Sequence, residues 1–597
     1  MRFFIAIFLL FSISLFSQED ILAQEYFKNG EFEKALHEYK KLYANNASNP
    51  NYISQLLATY QQLEQYDEAE TFLLKLMERI RLPHFYVELG YNYQLKNDLD
   101  KANSYYQKAI NSVDDNVNSV FSVARSFQNH SLLDKVIIVY EKAMAIKPQL
   151  NFNLQLAQIY GEQGNIEKMF NSYITFIDTN PFVGSDSGAL NTIKRTISDF
   201  ISEDSSQENN ILFRKILLKK MQQEPNVLWN GLLSWLFIQQ KEYNKSFIQE
   251  KAIFNRQPES LYRIVELASI AVSENELDVA KDIYEFLIET AQDIDTKIDA
   301  HNQLLKIESK ESTKENYETV LSKYQAFFEE FGMFSSTLEV QIGYAHFLAF
   351  KMNDTHKAIS FLEESLKLPL AELQKAQIKL ELGDILLLQE KFNDALIYYT
   401  QIQRNLKNST VSQEARFRVA KASYYKGDFK WAESQLKILK ASTSQLIAND
   451  ALELKLLISD NKYEDSLQTA LKLYSKADLF AFQDRNDEAI SLLSKILKEH
   501  KTEPIIAQAL FKQAQLFEAK KQFENAEQNY KNILLNYKDG ILADNACYAL
   551  AEIYANQLAQ PEKAKSLYQQ IIFEYADSIY FVEARKKFRA LRGDAIE

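Results

Sequence analysis

Apolar and small residues return along this chain at two nested intervals. In FYVELGYNYQLKNDLDKANSYYQKAI, residues 85–110, Tyr86, Leu89, Gly90 and Tyr93 share one face of a helix, and Ala102 and Tyr106 share a face of the next. Steps of three and four mark the apolar sides of amphipathic helices. The whole set then recurs. Leu56, Leu57, Tyr60, Ala69 and Leu73 come earlier, and Leu22, Ala23, Tyr26, Ala35 and Tyr39 before those. Val123, Ala124, Phe127, Val136, Tyr140 and Pro148 follow, then Leu156, Ala157, Tyr160, Met169, Tyr173 and Pro181. The small or apolar position runs 35, 69, 102, 136, 169, a period of 33 to 34.

The register returns further on. Leu233, Phe237, Tyr243, Ser246 and Pro258 form one set; Ala268, Ala280, Tyr284 and Leu287 form another. Later sets centre on Ala358, Ala395, Ala432, Ala489, Ala526 and Ala564, and Leu382-Gly383 with Ala395 and Tyr399 is the clearest. Here 358 to 395, 395 to 432 and 489 to 526 are spacings of 37, and 526 to 564 is 38. The added residues amount to about one helical turn.

This pattern resembles the tetratricopeptide repeat family, whose signature is a spaced W-L-G-Y…A…F…P. The resemblance covers most of residues 18 to 592. It implies an all-α solenoid of stacked antiparallel helix pairs, in two or more stacks. Gly90 or Ala124 would let the two helices of a pair approach, Tyr93 or Phe127 would fill the neighbouring groove, and Ala102 would open the second helix where the backbones are closest. One pair cannot bury its apolar face alone, so stacking supplies the core. The expected divisions are an N-terminal stack at 18–181, an irregular hinge at 182–210 (VGSDSGAL and SEDSSQENN), a middle stack at 211–370 and a C-terminal stack at 371–577. A capping helix and tail fill 578–597. Residues 293–340 read as helical yet fit no repeat well, so they are a degenerate unit or connector. The ending EYADSIYFVEARKKFRALRGD is similar to the close of periplasmic repeat proteins of the outer-membrane assembly and Tol-Pal-associated type. Tyr575, Asp577, Ser578, Tyr580, Ala584 and Arg585 carry that likeness.

Composition agrees with helices. Only 13 Gly and 9 Pro punctuate 597 residues, too few for a turn-rich β protein, and the length exceeds one ordinary core. The 33 Tyr and 39 Phe suit aromatic packing. A net charge of −13 argues against nucleic acid as a partner, because phosphate binding needs a basic surface. The opening MRFFIAIFLLFSISLFSQED has Arg2, an apolar run from Phe3 to Phe11 and a polar exit. It reads as a signal peptide over 1–17, too short for a comfortable transmembrane helix. No Cys lies near that exit, so an N-terminal lipid anchor through Cys is not expected. Cys547 is alone, which excludes an internal disulfide and suggests a buried, inert thiol.

No catalytic constellation emerges. The seven His are scattered without a metal-ligand motif, and neither a phosphate loop nor a nucleophile elbow is present. The reading is a non-enzyme without cofactor or metal. What remains is surface. In a stacked array the first helix of each pair lines the concave side, where Gln61, Gln94 and Gln128 form a column beside Tyr91, Arg125 and Gln158. Gln both donates to and accepts from an extended peptide, and a plain polar surface is the competing reading. The first helices lack the paired Lys and Asn that capture a chain-terminal carboxylate. Two basic stretches stand out, FRKILLKKM (213–221) and the last helix. On that helix Phe581, Ala584, Phe588 and Leu591 share a face, with a rim of Arg585, Lys586, Lys587, Arg589 and Arg592. A cap over the last repeat explains it; contact with acidic lipid or a partner is the alternative.

These features predict an exported scaffold for protein or peptide partners in a bacterial cell envelope, periplasmic or peripheral at the outer membrane. Alternatives are a subunit of an outer-membrane assembly or secretion machine, a connector without a groove ligand, and a peptidoglycan or glycan binder.

Overall fold

A computed structural model describes residues 20–184, 187–439, 445–462 and 468–594. The expected signal peptide lies outside the described residues. Those described are α-helical with short turns, two 3₁₀ segments and one π-helical segment, and no strand occurs among them. Two compact units divide the chain, Met1–Ala271 and Val272–Glu597.

Both units are built from helix pairs. In the opening stretch His84–Leu95 and Leu99–Asp115 are the two helices. Asp98 caps the second, its side chain accepting from the Lys101 amide at 3.1 Å. Asn165, Asp354 and Ser409 cap later helices in the same way, satisfying amide protons that a helix start leaves without partners. In thirteen described pairs the chain reverses between the two helices through one left-handed residue. Asn97 has φ 64°, Ser131 57°, Gly164 72°, Lys241 56°, Glu390 57° and Lys521 58°. The next amide then bonds back five residues, as in Asp98 to the Tyr93 carbonyl at 2.9 Å and Gln522 to that of Phe517 at 2.8 Å. This closes the first helix in a Schellman motif.

The glycine of the repeat has a sharper role than close helix approach alone. A Cβ on Gly90 would lie 2.4 Å from two ring carbons of Tyr106 and 3.1 Å from the Ala102 carbonyl; one on Gly383 would lie 2.3 Å from the Tyr399 ring. Each glycine is therefore the seat of the second-helix tyrosine, sixteen residues on. Ala102, Ala395, Ala432, Ala489, Ala526 and Ala564 are at most 1% exposed, as expected where two backbones press together. Cys547 is buried, its Sγ 3.4 Å from the Leu567 carbonyl. Burial pushes its thiol up to about 12, so little thiolate forms at neutral pH.

Three regions differ from the expected divisions. Segment 182–210, expected to be irregular, contains helix Gly188–Ser198 with Leu190, Ile193 and Ile197 buried. Helix Glu208–Gln223 begins there too, and its buried Asn210 amide donates to the Ser202 and Asp204 carbonyls at 2.8 and 2.6 Å. The polar loop is thus tied to a helix start, and the first compact unit continues through it to Ala271. The expected middle stack at 211–370 is accordingly shared between the two units. Residues 293–340 hold a true pair, Ile294–Glu311 and Tyr317–Phe331. They are followed by Leu338–His346, which runs into a π-helix at Phe347–Lys351. The 18-residue first helix exceeds the usual interval and blurs the register. Finally, Gln445–Lys462 is an additional helix, placed between pair Thr410–Lys426/Phe429–Leu439 and pair Thr469–Phe482/Asn486–Glu499.

Within the second unit the chain also closes on itself. Lys476 donates to Glu390 at 2.6 Å and Gln483 to the Leu388 carbonyl at 3.0 Å. The Phe482 and Phe350 rings meet edge to face at 5.7 Å. Helix Thr469–Phe482 therefore braces the turn after helix Glu372–Leu388 rather than only its neighbour in sequence.

Candidate functional site

The six candidate residues of the first helices have different environments. Gln94 is committed, its Oε1 accepting from the Tyr106 hydroxyl at 2.8 Å. Tyr91 stacks on the His130 ring, centroids 3.8 Å apart. Gln61 is half-buried and its Nε2 is enclosed without an acceptor among the described residues. Arg125, Gln128 and Gln158 are exposed. No hydrogen bond between any two of the six is seen among the described residues. Three of the six are thus exposed on two successive first helices, and the other three are packed or enclosed.

Tyr91 belongs to a cluster that sequence reading missed. Glu88 accepts from the Ser126 hydroxyl at 2.6 Å, and its other oxygen lies 2.9 Å from His130 Nε2. The carboxylate stands between serine and imidazole, so the histidine is not placed to take the serine proton as a nucleophilic triad requires. The cluster instead ties helix His84–Leu95 to helix Val120–Asn129. The available signal was the separation of Glu88 from Ser126 and His130, 38 and 42 residues, which is one repeat plus about one and two helical turns.

On the terminal helix, Phe581–Arg592, Ala584 is buried while Phe588 and Leu591 pack on the C-terminal core. Phe581, half-buried, is not part of that cluster. The basic rim is also less free than the sequence suggested. Lys587 donates to Glu552 at 2.7 Å and to the Tyr548 hydroxyl at 3.3 Å, and Arg589 lies 3.7 Å from Asp594. Arg585, Lys586 and Arg592 are the exposed members, and Arg592 is paired with Asp594. In FRKILLKKM, Phe213 and Leu217 are buried and Lys220 binds Asp178 and Glu224, both at 2.7 Å.

Grooves lie on the first-helix face of the second unit among the described residues. One, about 640 Å³, lies between the additional helix (Leu452, Leu456) and the first helices of neighbouring pairs (Phe417, Tyr474, Phe511). Another, about 710 Å³, is lined by helices Ile294–Glu311, Leu338–His346, Glu372–Leu388 and Thr410–Lys426. At its edge Arg418 Nε reaches both Asp384 oxygens at 3.0 Å, and the Tyr399 hydroxyl donates to Asp384 at 2.6 Å. Burial pushes the Asp384 carboxyl up despite Arg418, and burial together with Asp384 pushes the Tyr399 phenol well up. These groups are spent on one another. Among the described residues no cluster of three or more His, Cys, Asp or Glu is arranged to hold a metal.

Tetratricopeptide repeat models match residues 83–112 and 474–540. Those two stretches carry tetratricopeptide repeats. The first match coincides with the pair in which Tyr106 rests on Gly90; the second spans most of two pairs, Thr469–Phe482/Asn486–Glu499 and Ile506–Ala519/Phe523–Asn536. An uncharacterised protein, ycf37 of Cyanophora paradoxa, is 26% identical over 115 residues, and the match covers 18% of this chain and 66% of that protein. Among solved structures, Naa15/Naa10 bound to HypK-THB is 12% identical with a TM-score of 0.30, covering 97% of this chain and 100% of that one. The APC/C hetero-tetramer Cut9–Hcn1 is 12% identical with a TM-score of 0.26, covering 89% and 95%. Tetratricopeptide arrays are interaction scaffolds, because stacked helix pairs create extended binding surfaces.

Proposed function

We propose that this chain is a non-catalytic scaffold that holds protein partners along its first-helix face in a bacterial cell envelope. One observation carries the docking reading. The tyrosines, alanines and glycines of the pairs are consumed by packing, whereas Arg125, Gln128 and Gln158 stand exposed on successive first helices. A photocrosslinking residue at Gln128 or Gln158 is expected to capture partner proteins in living cells. The same residue at exposed Asp100, on a second helix, is expected to capture none. Equal capture at all three positions overturns the reading.

The envelope setting rests on Arg2 and the apolar run Phe3 to Phe11. Export is checked by N-terminal sequencing and fractionation: a start near residue 18 in the periplasmic or envelope fraction supports it, and intact Met1 on a cytosolic protein sinks it. Membership of an outer-membrane assembly or secretion machine is a second reading, favoured by the ending near Tyr575 to Arg585. Exposed apolar residues on the last pairs also support it, with Leu535 78%, Phe573 75% and Ile579 84% exposed, since such residues suit a standing interface. Copurification of a stable envelope complex distinguishes that membership from transient docking.

A further inference from the structure

We propose that the groove between helices Ile294–Glu311 and Thr410–Lys426 takes an acidic stretch of a partner protein, held by Lys310 and Lys351. The inference rests on the first-helix face being a docking surface and names the chemistry of its occupant. Charge accounting inside the groove leads to it. Its two carboxylates already have partners: Glu339 is ion-paired with Lys306 at 2.9 Å and accepts from Asn302 at 2.8 Å, and Glu381 is hydrogen-bonded to His346 Nδ1 at 2.9 Å, an ion pair only when that imidazole is protonated. Arg418 is matched by Asp384 and Glu414. Two lining ammonium groups are left over. Lys310 is exposed and Lys351 half-buried, and neither forms an ion pair among the described residues. In a chain of net charge −13, this groove leans positive: outside its ion pairs stand two ammonium groups against the one hydrogen-bonded carboxylate of Glu381.

The floor adds a neutral donor. The Tyr324 and Ser309 hydroxyls are 3.0 Å apart. One proton serves the bond between them, so one remains for an acceptor in the groove. Gly343 keeps this spot open, since a Cβ there would sit 3.2 Å from the Tyr324 hydroxyl. The π-helix Phe347–Lys351, an irregularity that recurs at functional sites, contributes Lys351 to the rim. Two ammonium groups and a hydroxyl donor, around a volume of about 710 Å³, suit several carboxylate side chains in a row. Such charge-assisted bonds are stronger than neutral ones.

The test uses the full chain and a fluorescent hexaglutamate peptide, acetylated and amidated so that only side-chain carboxylates remain. Binding is expected by anisotropy at about 50 mM salt, weakening as salt screens the charges, with none to hexaglutamine. The double variant Lys310→Glu/Lys351→Glu is expected to lose at least about tenfold in affinity with an unchanged circular-dichroism melt. Lys430→Glu/Lys437→Glu makes the same change in net charge elsewhere and is expected to lose less than about threefold. Equal losses in the two variants overturn the proposal, as does binding to phosphatidylglycerol vesicles but not to the peptide. If the peptide fails while crosslinking at Gln128 still captures partners, only the acidic occupant is wrong and the docking reading stands.

Discussion

The left-handed turns within the helix pairs make a quantitative prediction. Thirteen described pairs reverse through such a residue, yet only Gly30, Gly164 and Gly427 of these are glycine; the others include Glu64, Asn97, Lys241 and Lys521. An L residue in this conformation costs roughly 1–2 kcal/mol, and glycine returns about 0.5–1 kcal/mol of that through its freer unfolded chain. Gly164 has φ 72° and open space around its α-carbon, so Gly164→Ala tests conformation without a clash. The expected loss is about 1 kcal/mol. Lys521 and Glu64, whose side chains are exposed, should gain about 0.5–1 kcal/mol as Lys521→Gly and Glu64→Gly. Gly188, at a helix start with open space and no positive φ, is the control, and Ala there should be neutral or stabilising. A chain of two units does not melt in two states. Native-state hydrogen exchange of the flanking helices is therefore the assay, because it reads local opening. A loss of about 1 kcal/mol appears as roughly fivefold faster exchange. If Gly164→Ala and Gly188→Ala behave alike, or if Lys521→Gly speeds exchange, the turn is not strained and the reasoning fails.

Gly383→Ala should lose about 1–3 kcal/mol by overpacking against the Tyr399 ring, and Tyr399→Leu should relieve part of that loss in a double-mutant cycle. Ala102→Leu should lose a similar amount while the same change at exposed Lys101 costs little, as native-state hydrogen exchange in helix Leu99–Asp115 would report. Hydrogen bonding to Lys476 holds the Glu390 carboxyl below its usual range. Its contribution to the brace is therefore present above the unfolded carboxylate value and lost as pH falls through the folded one; amide exchange in helix Thr469–Phe482 should accelerate on acidification, and less so in Glu390→Gln. On the terminal helix Phe588→Asp should destabilise or aggregate the protein. Reversal of exposed Arg585 and Lys586 should leave the melt unchanged, whereas Lys587→Glu should lower it by losing Glu552.

Periodicity alone determined that this is an array of paired helices and which positions meet inside a pair. Apolar faces at three-and-four spacing must be covered, and a repeat can cover them only with its neighbours, so Ala102, Ala395 and Ala526 announce their burial locally. The left-handed turns were invisible for the opposite reason. The close of the pair imposes that conformation on Glu64, Lys241 or Lys521, whose identity does not ask for it. Segment 182–210 misled because the buried trio Leu190, Ile193 and Ile197 is short and its flanks are polar; only Asn210 folding back on Ser202 and Asp204 shows that the loop is held. The candidate surface was legible as a list of polar side chains, and no further. Whether Gln94 faces a ligand or Tyr106, and whether Lys587 is free or bound to Glu552, depends on atoms that the repeat brings together from another helix. The brace between Lys476 and Glu390 and the unmatched Lys310 and Lys351 were decided by tertiary structure alone, since a long-range charge balance is a sum over neighbours that no local spacing contains.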